Sequence, residues 1–550
     1  MAHGLEERQR RARRQHAATS LWGVSKPLIA AVAFVLPAQA SAQDAEQRIR
    51  QLEEQVRALT QELQAVKAQI QQQQAAKPVA APAPETAPPQ PARRAEVPGA
   101  TSTGELQDRV QVLEQRIEQQ GIQARFSEGI IFEDPRGNWT LRVTGRLQLD
   151  YRDFSPNGSV ADTFSVRRAR LGVDTTVFKD YRIVVEGEFA NGNATGNTPQ
   201  NVALTLGYFD IGWFSPYARL RLGQFKPAFG YEQTLLDLYS SFMERGLTQN
   251  LLQNLNYDRG LMVYGAAYRG LYYAASLTNG TGTNLEERQG NAQEVKADSK
   301  EFTFRGVTNF AELFQLRDSI IQIGASYKTG TVANSAANPY AAATMQTEAR
   351  GITFFTPAAF NGAGTNPNAS NIERRLRNAE MLLSYGPMKL QGEYTQAEYE
   401  GTRLSPAPRL SFNRKVDAAY IGALWLITGE TYADFYRDGM IGKIRPRNRF
   451  GWGPGGGWGA WELGLRYSIF DGSDFSNSNP PNTGRLSSTS PASNSTTKAD
   501  AYTVQLKWIP NVYTRFWLDW VRTNFDTPLI VNGRSEDHED AVMLRGQIDF

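Results

Sequence analysis

The chain has 550 residues, 59 Lys plus Arg against 56 Asp plus Glu for a formal charge of +3, no cysteine and three histidines. Thiol nucleophiles, disulfide frameworks and thiolate metal sites are therefore excluded. With His3 and His16 in a leader expected to be removed, only His538 is left for imidazole chemistry, which excludes a histidine-rich active site or metal centre.

Residues 1–42 read as an export signal. Arg8, Arg10, Arg11, Arg13, Arg14 and Lys26 precede the apolar stretch Leu28 to Leu36, and small residues around Ala38, Ala40 and Ala42 suit a signal peptidase. From Asp44 the period becomes a heptad through Ile49, Leu52, Val56, Leu59, Leu63, Val66 and Ile70. This predicts a periplasmic coiled coil over 43–76 that pairs with copies of itself or with a partner such as the cell wall. Residues 77–100 carry seven prolines and predict an extended spacer on the order of 70 Å long. A shorter heptad trace, Leu106, Val110, Leu113 and Ile117, predicts a second helical segment over 101–125, with Gly121 ending the trace.

Beyond Phe126 the period is two. This region holds 57 of the 59 aromatic residues and 43 of the 48 glycines. Trp461, Leu463, Leu465, Tyr467 and Ile469 alternate with Glu462, Gly464, Arg466 and Ser468, and Leu141 to Asp150, Tyr502 to Trp508 and Val542 to Phe550 repeat the pattern. No stretch approaches the ~18 to 20 uninterrupted apolar residues of a helical membrane span, whereas runs of about ten suit tilted strands that cross an outer membrane. With export and long polar loops such as 330–371 and 471–498, the pattern predicts an all-β outer-membrane antiparallel barrel over 126–550. At about 25 to 28 residues per strand with its loop, 14 to 18 strands fit.

The barrel sequence resembles the phosphate-selective porin O and P family. The resemblance is carried by Gly145-Arg146-Leu147-Gln148-Leu149-Asp150-Tyr151, Val166-Arg167-Arg168-Ala169-Arg170-Leu171, Leu222 to Glu232, Leu426-Ile427-Thr428-Gly429-Glu430 and Gly459-Ala460-Trp461-Glu462-Leu463. It implies a sixteen-stranded, trimeric channel for small anionic solutes such as phosphate or polyphosphate. One departure bears on the solute: where phosphate-holding members have Lys and then a Ser pair, this chain has Gln233 and Leu236-Asp237, and a carboxylate repels phosphate.

Strand parity selects the residues expected to line the lumen. Arg142 and Arg146, Arg168 and Arg170, and Arg219 and Arg221 each stand opposite apolar residues that would meet lipid, and guanidinium forks onto oxyanions. Arg167 has the wrong parity and would need a bulge, a headgroup-level position or a subunit interface. The segment from Lys226 to Gly260, with Leu235, Leu236, Leu238, Phe242, Met243, Leu251 and Leu252, is too apolar to hang in solvent. It is expected to fold into the barrel and narrow it, placing Lys226, Glu232, Asp237, Glu244 and Arg245 at the constriction.

The run Gly451 to Gly456 spells a dinucleotide-binding pattern but is interrupted by Pro454 and followed by a strand, so no cofactor is expected. Neither metal nor nucleic acid is expected as a partner. The leading expectation is a passive porin, not an enzyme, with outer-membrane lipid and further copies of itself as partners; the alternative is an envelope tether whose channel is minor. The barrel segment itself balances 43 basic against 43 acidic residues, so selectivity has to come from how the charges are sorted.

Overall fold

A computed structural model describes residues 122–550 apart from 157–159, 191–201, 253–255, 281, 283–299, 336–338, 361–368, 406–407, 454, 477–485 and 487–494. The expected signal, coil, spacer and most of the second helical segment lie outside the described residues. The last residues of that segment are strand, because Gln123–Phe126 pairs with Ile130–Glu133 as a hairpin leading into the barrel.

Sixteen strands make the barrel wall: β1 (Trp139–Ser155), β2 (Thr163–Val177), β3 (Tyr181–Glu188), β4 (Ala203–Phe214), β5 (Ala218–Phe225), β6 (Asp258–Tyr268), β7 (Leu271–Thr278), β8 (Glu301–Asn309), β9 (Ser319–Val332), β10 (Ile372–Tyr385), β11 (Met388–Arg403), β12 (Leu410–Leu426), β13 (Ala460–Asp471), β14 (Lys498–Asn511), β15 (Thr514–Val531) and β16 (Arg534–Asp549). Each pairs antiparallel with its sequence neighbour, and β16 returns to β1 in the register Asp540↔Ser155 through Asp549↔Arg146, so the sheet has no free edge along the wall.

Alternation explains why this sequence closes around a polar interior. On β13, Leu463, Leu465, Tyr467 and Ile469 are exposed, while Glu462, Arg466 and Ser468 are buried. This is the reverse of a soluble core and fits a wall with lipid outside. On the tall strands the outward residues turn charged at Arg375, Arg377, Asp471, Arg522 and Asp540, beyond the hydrocarbon. Gly145 faces outward beneath the ring of Phe550, where a Cβ would come 2.4 Å from the ring; only glycine lets the last strand seat that ring on β1.

Described parts of several connections fold into the interior, Phe475 of the β13–β14 connection among them. The β5–β6 segment (226–257) and the β9–β10 segment (333–371) enter from the end with long loops, and the β12–β13 segment (427–459) enters from the end with short turns. Phe229, Leu247 and Leu251 pack with Phe354, Phe355, Phe360 and the wall residues Tyr399, Phe412 and Phe470. Tyr231, Leu235 and Phe242 pack with Tyr432, Tyr436, Ile441 and the wall residues Leu382, Leu424 and Ile509. The covered part of the inner face thus runs from β9 to β16 and reaches Phe154 of β1, and open space remains beside β2.

Candidate constriction and anion site

The site begins with an irregularity in β2. Gln148 of β1 pairs with Arg168, but the next residue, Leu149, pairs with Val166, leaving Arg167 as the extra residue of a β-bulge. The bulge turns Arg167 inward, and its Nε lies 3.1 Å from Glu244 Oε1. Three of four consecutive residues in Arg167-Arg168-Ala169-Arg170 therefore present guanidinium to the lumen.

The inward-folded β5–β6 segment brings two carboxylates to meet them. Asp237 lies 3.3 Å from Arg168 Nε, 3.7 Å from Arg170 Nη1, 3.6 Å from Lys226 Nζ and 4.0 Å from Arg146 Nη1, and Arg245 donates to it directly. Glu244 sits 2.6 Å from Arg152, 2.9 Å from Arg545, 3.1 Å from Arg167 and 3.2 Å from Arg350. Burial alone would raise both carboxyls. The surrounding cations, led by Arg168 for Asp237 and by Arg167 for Glu244, instead hold each well below the usual carboxylate range. Lys226 moves the other way: burial, reinforced by Arg245, lowers its ammonium to about 7 against the pull of Asp237.

Between these clusters lies a cavity of about 430 Å³. Its charged lining is Arg167, Arg168, Arg170, Lys226, Arg245, Arg350 and Arg545 against Glu188, Asp237, Glu244 and Glu348, an excess of three positive charges in a barrel segment that is neutral as a whole. Arg170 is fixed by Glu188 at 2.6 Å, Glu186 at 3.2 Å and the Tyr257 hydroxyl at 3.0 Å. Among the described residues, Arg146 Nε and Nη1 are buried and donate to no protein acceptor. Arg146 stands behind the cavity lining and meets it through Asp237, 4.0 Å from its Nη1.

The sequence-derived residues divide. Arg146, Arg168, Arg170, Lys226, Asp237, Glu244 and Arg245 come together here. Arg221 is clamped on Asp210 at 2.7 and 2.8 Å over the ring of Tyr208, and Arg219 donates to Ser215 near the short turn. Arg142 is exposed, opposite Asp174 in register. Glu232 is a staple inside the folded segment, accepting from Gly246 N at 2.9 Å. Burial raises its carboxyl above the usual range. That segment is anchored from the wall by Glu393, which accepts from Tyr231 N at 3.1 Å and Glu232 N at 2.7 Å.

Parity could have supplied Arg152 and Arg545, which share the inward face of β1 with Arg146 and of β16 with Gln547. Nothing in the sequence period points to Arg350, which reaches Glu244 from the β9–β10 segment.

Residues 141–550 match the family described as phosphate-selective porin O and P. Porin O of Pseudomonas aeruginosa is 23% identical over 432 residues, covering 75% of this chain and 89% of that protein. Among solved structures, the anion-selective porin from Comamonas acidovorans aligns at 12% identity and a TM-score of 0.44, over 75% of this chain and all of that one. The in-vitro folded outer membrane protein OmpT of Vibrio cholerae, in its trimer form, aligns at 10% identity and a TM-score of 0.42, over 75% of this chain and 99% of that one. With the match spanning the whole barrel wall, the chain belongs to the phosphate-selective porin O and P family.

Proposed function

We propose that the protein is an outer-membrane porin, a passive diffusion channel for small hydrophilic solutes that prefers oxyanions. The observation that carries this reading is the excess of positive charge around the cavity between Asp237 and Glu244, in a barrel segment that balances its charges as a whole. An ion entering a narrow zone gives up part of its water, and wall groups of opposite sign replace it. Arginine suits that task because its charge is fixed and its donors match the oxygens of phosphate or carboxylate. The two carboxylates hold the guanidiniums in place and keep any one anion from binding too tightly to leave. The Ser pair of phosphate-holding relatives is replaced by Leu236-Asp237, so the solute class is oxyanions in general, with phosphate one of them.

We read Arg168, Arg170, Lys226 and Arg245 as the anion-facing set, backed by Arg146, with Arg142, Arg219 and Arg221 lining the approach. The heptads of residues 43–76 fit a periplasmic coil in a homotrimer. The test is the reversal potential of the purified channel in a planar bilayer under a salt gradient. Anion selectivity, with chloride current blocked by added phosphate, supports the proposal; cation selectivity overturns it.

A further inference from the structure

We infer that the outer wall of the barrel, at its short-turn end, carries a binding groove for an anionic phospholipid. The groove of about 890 Å³ runs along the rim beside β15 and β16, floored by Phe126, Tyr513 and Phe550 and walled by Arg445 and by Arg449-Phe450. Its lining takes in the outward Ile548 and, at the rim, the inward Asp549. Ile548 and Phe516 are outward and exposed on the adjoining strands, and Leu544 and Leu518 continue the same apolar face. Short turns mark the periplasmic end of such barrels, so the groove lies at the headgroup level of the inner, phospholipid leaflet.

The walls are held in place. They belong to the β12–β13 connection, whose other part fills the lumen with Tyr432, Tyr436 and Ile441. Outside, it turns back along the wall: Phe450 N donates to Pro510 O at 2.8 Å, Gly457 N donates to Arg449 O at 2.9 Å, and the indoles of Trp461 and Trp508 donate to Trp458 O at 3.2 and 2.9 Å. Phe450 stands edge-on to both Trp452 and Trp508, and Trp452 and Trp458 are themselves exposed. Aromatic rings of this kind settle at a bilayer interface, with one side apolar and one wet.

Charge selects the headgroup. Two acids belong to this neighbourhood. Glu128 lies 2.6 Å from Arg445, and Asp549 is held 2.6 Å from Lys443 and bonded to Arg515, buried on the lumen side. Among the described residues, Arg449 has no acidic side-chain partner within 4.0 Å, and the side chains of Lys443, Arg445, Arg449 and Arg515 outnumber those of Glu128 and the groove-lining Asp549. Acyl chains laid on Ile548 and Phe516 would bring a lipid phosphate between Arg445 and Arg449. Because it needs only a barrel in an outer membrane, the inference stands apart from the solute preference of the lumen.

The test is native mass spectrometry of the detergent-purified full chain, titrated separately with phosphatidylglycerol, phosphatidylethanolamine and glycerol 3-phosphate. The expected result is phosphatidylglycerol bound about tenfold more tightly than phosphatidylethanolamine, as two arginines facing an anionic headgroup provide when one is shared with Glu128. Arg445→Gln with Arg449→Gln should remove the preference while heat-resistant mobility on gels, which reports the folded barrel, is unchanged. Glu128→Gln, which frees Arg445, should widen the preference. Equal affinity for the two lipids, or a preference the double variant keeps, overturns the inference. So does glycerol 3-phosphate binding as tightly as the lipid, which would make the groove a soluble-phosphate site. A double variant that changes the oligomeric mass instead of the bound lipid assigns the groove to a second copy and likewise overturns it.

Discussion

Arg167 Nε lies 3.1 Å from Glu244 Oε1, although strict alternation along β2 would aim Arg167 at lipid. The one-residue bulge opposite Gln148 and Leu149 makes the contact, and it does two things at once. It removes a cation from the bilayer, where it would cost about 2 to 4 kcal/mol, and it adds that cation to the lining of the cavity beside Glu244. Replacing Arg167 by Ala should lower the anion-to-cation permeability ratio roughly threefold, the effect of one unit charge lost close to the ion path in a wet channel. Arg167→Lys, which keeps the charge, should restore most of it. Reversal potentials of both variants check this; equal loss in the two would mean that the bulge geometry, not the charge, matters.

Asp237 is a tethered anion within its own cation cluster, so a solute oxyanion competes with it. Asp237→Asn should therefore strengthen phosphate block of the chloride current by about tenfold, the worth of one charge-assisted hydrogen-bond set released to the ligand. The half-blocking phosphate concentration measures it. Block unchanged in Asp237→Asn would show that anions pass without engaging Arg168 and Lys226.

Lys226 should give the channel a pH dependence with a definite sign. Its ammonium is lowered to about 7, so the charge is present below that pH and lost as pH rises through it. Anion selectivity should fall between pH 6 and 8, a window set by that value and distinct from the unperturbed lysine value of about 10.4. Lys226→Met should abolish the slope and hold selectivity at the level the native channel reaches at high pH. A slope that survives in Lys226→Met would assign the titration to another group.

Glu393 should behave as the anchor of the inward-folded segment. Its carboxylate accepts from Tyr231 N, Glu232 N, Asn378 Nδ2 and the Tyr420 hydroxyl. Glu393→Ala leaves those donors buried without an acceptor, at about 1 to 3 kcal/mol for each group left unsatisfied. The barrel should still resist heat and detergent, while open-channel noise rises and proteases gain access to residues 226–257. Glu393→Ala channels as quiet as the native ones would remove the anchor from the account.

Much of this was legible in the sequence because a barrel wall has a simple grammar. Alternation placed Arg146, Arg168 and Arg170 on one side and Leu147, Ala169 and Leu171 on the other, and the leucines and aromatics of 226–257 announced a segment that must find apolar partners. What alternation could not supply was anything that breaks it. The inward turn of Arg167 depends on one unpaired residue in the β1–β2 register, and Arg350 reaches Glu244 from a segment with no period. Between its family-like ends the β12–β13 connection offered the sequence only a misleading glycine motif, yet Tyr432 and Tyr436 are buried in the lumen because Glu462 and Gln322 on the wall accept from their hydroxyls. Parity also could not separate Arg168 from Arg221; that difference lies in which cations the inward-folded segment reaches, and Arg221 is already committed to Asp210.

On the proposed function the arginines of β2 set the preference for anions, and the reversal potential of Arg168→Ala with Arg170→Ala under a potassium chloride gradient measures their share. Both side chains meet Asp237, at 3.3 and 3.7 Å, so their loss leaves that carboxylate underbalanced in the passage. The native channel should show an anion-selective reversal potential, and the double variant one moved toward zero or across it to the cation side. A double variant with the native reversal potential would mean that the β2 arginines do not set the selectivity.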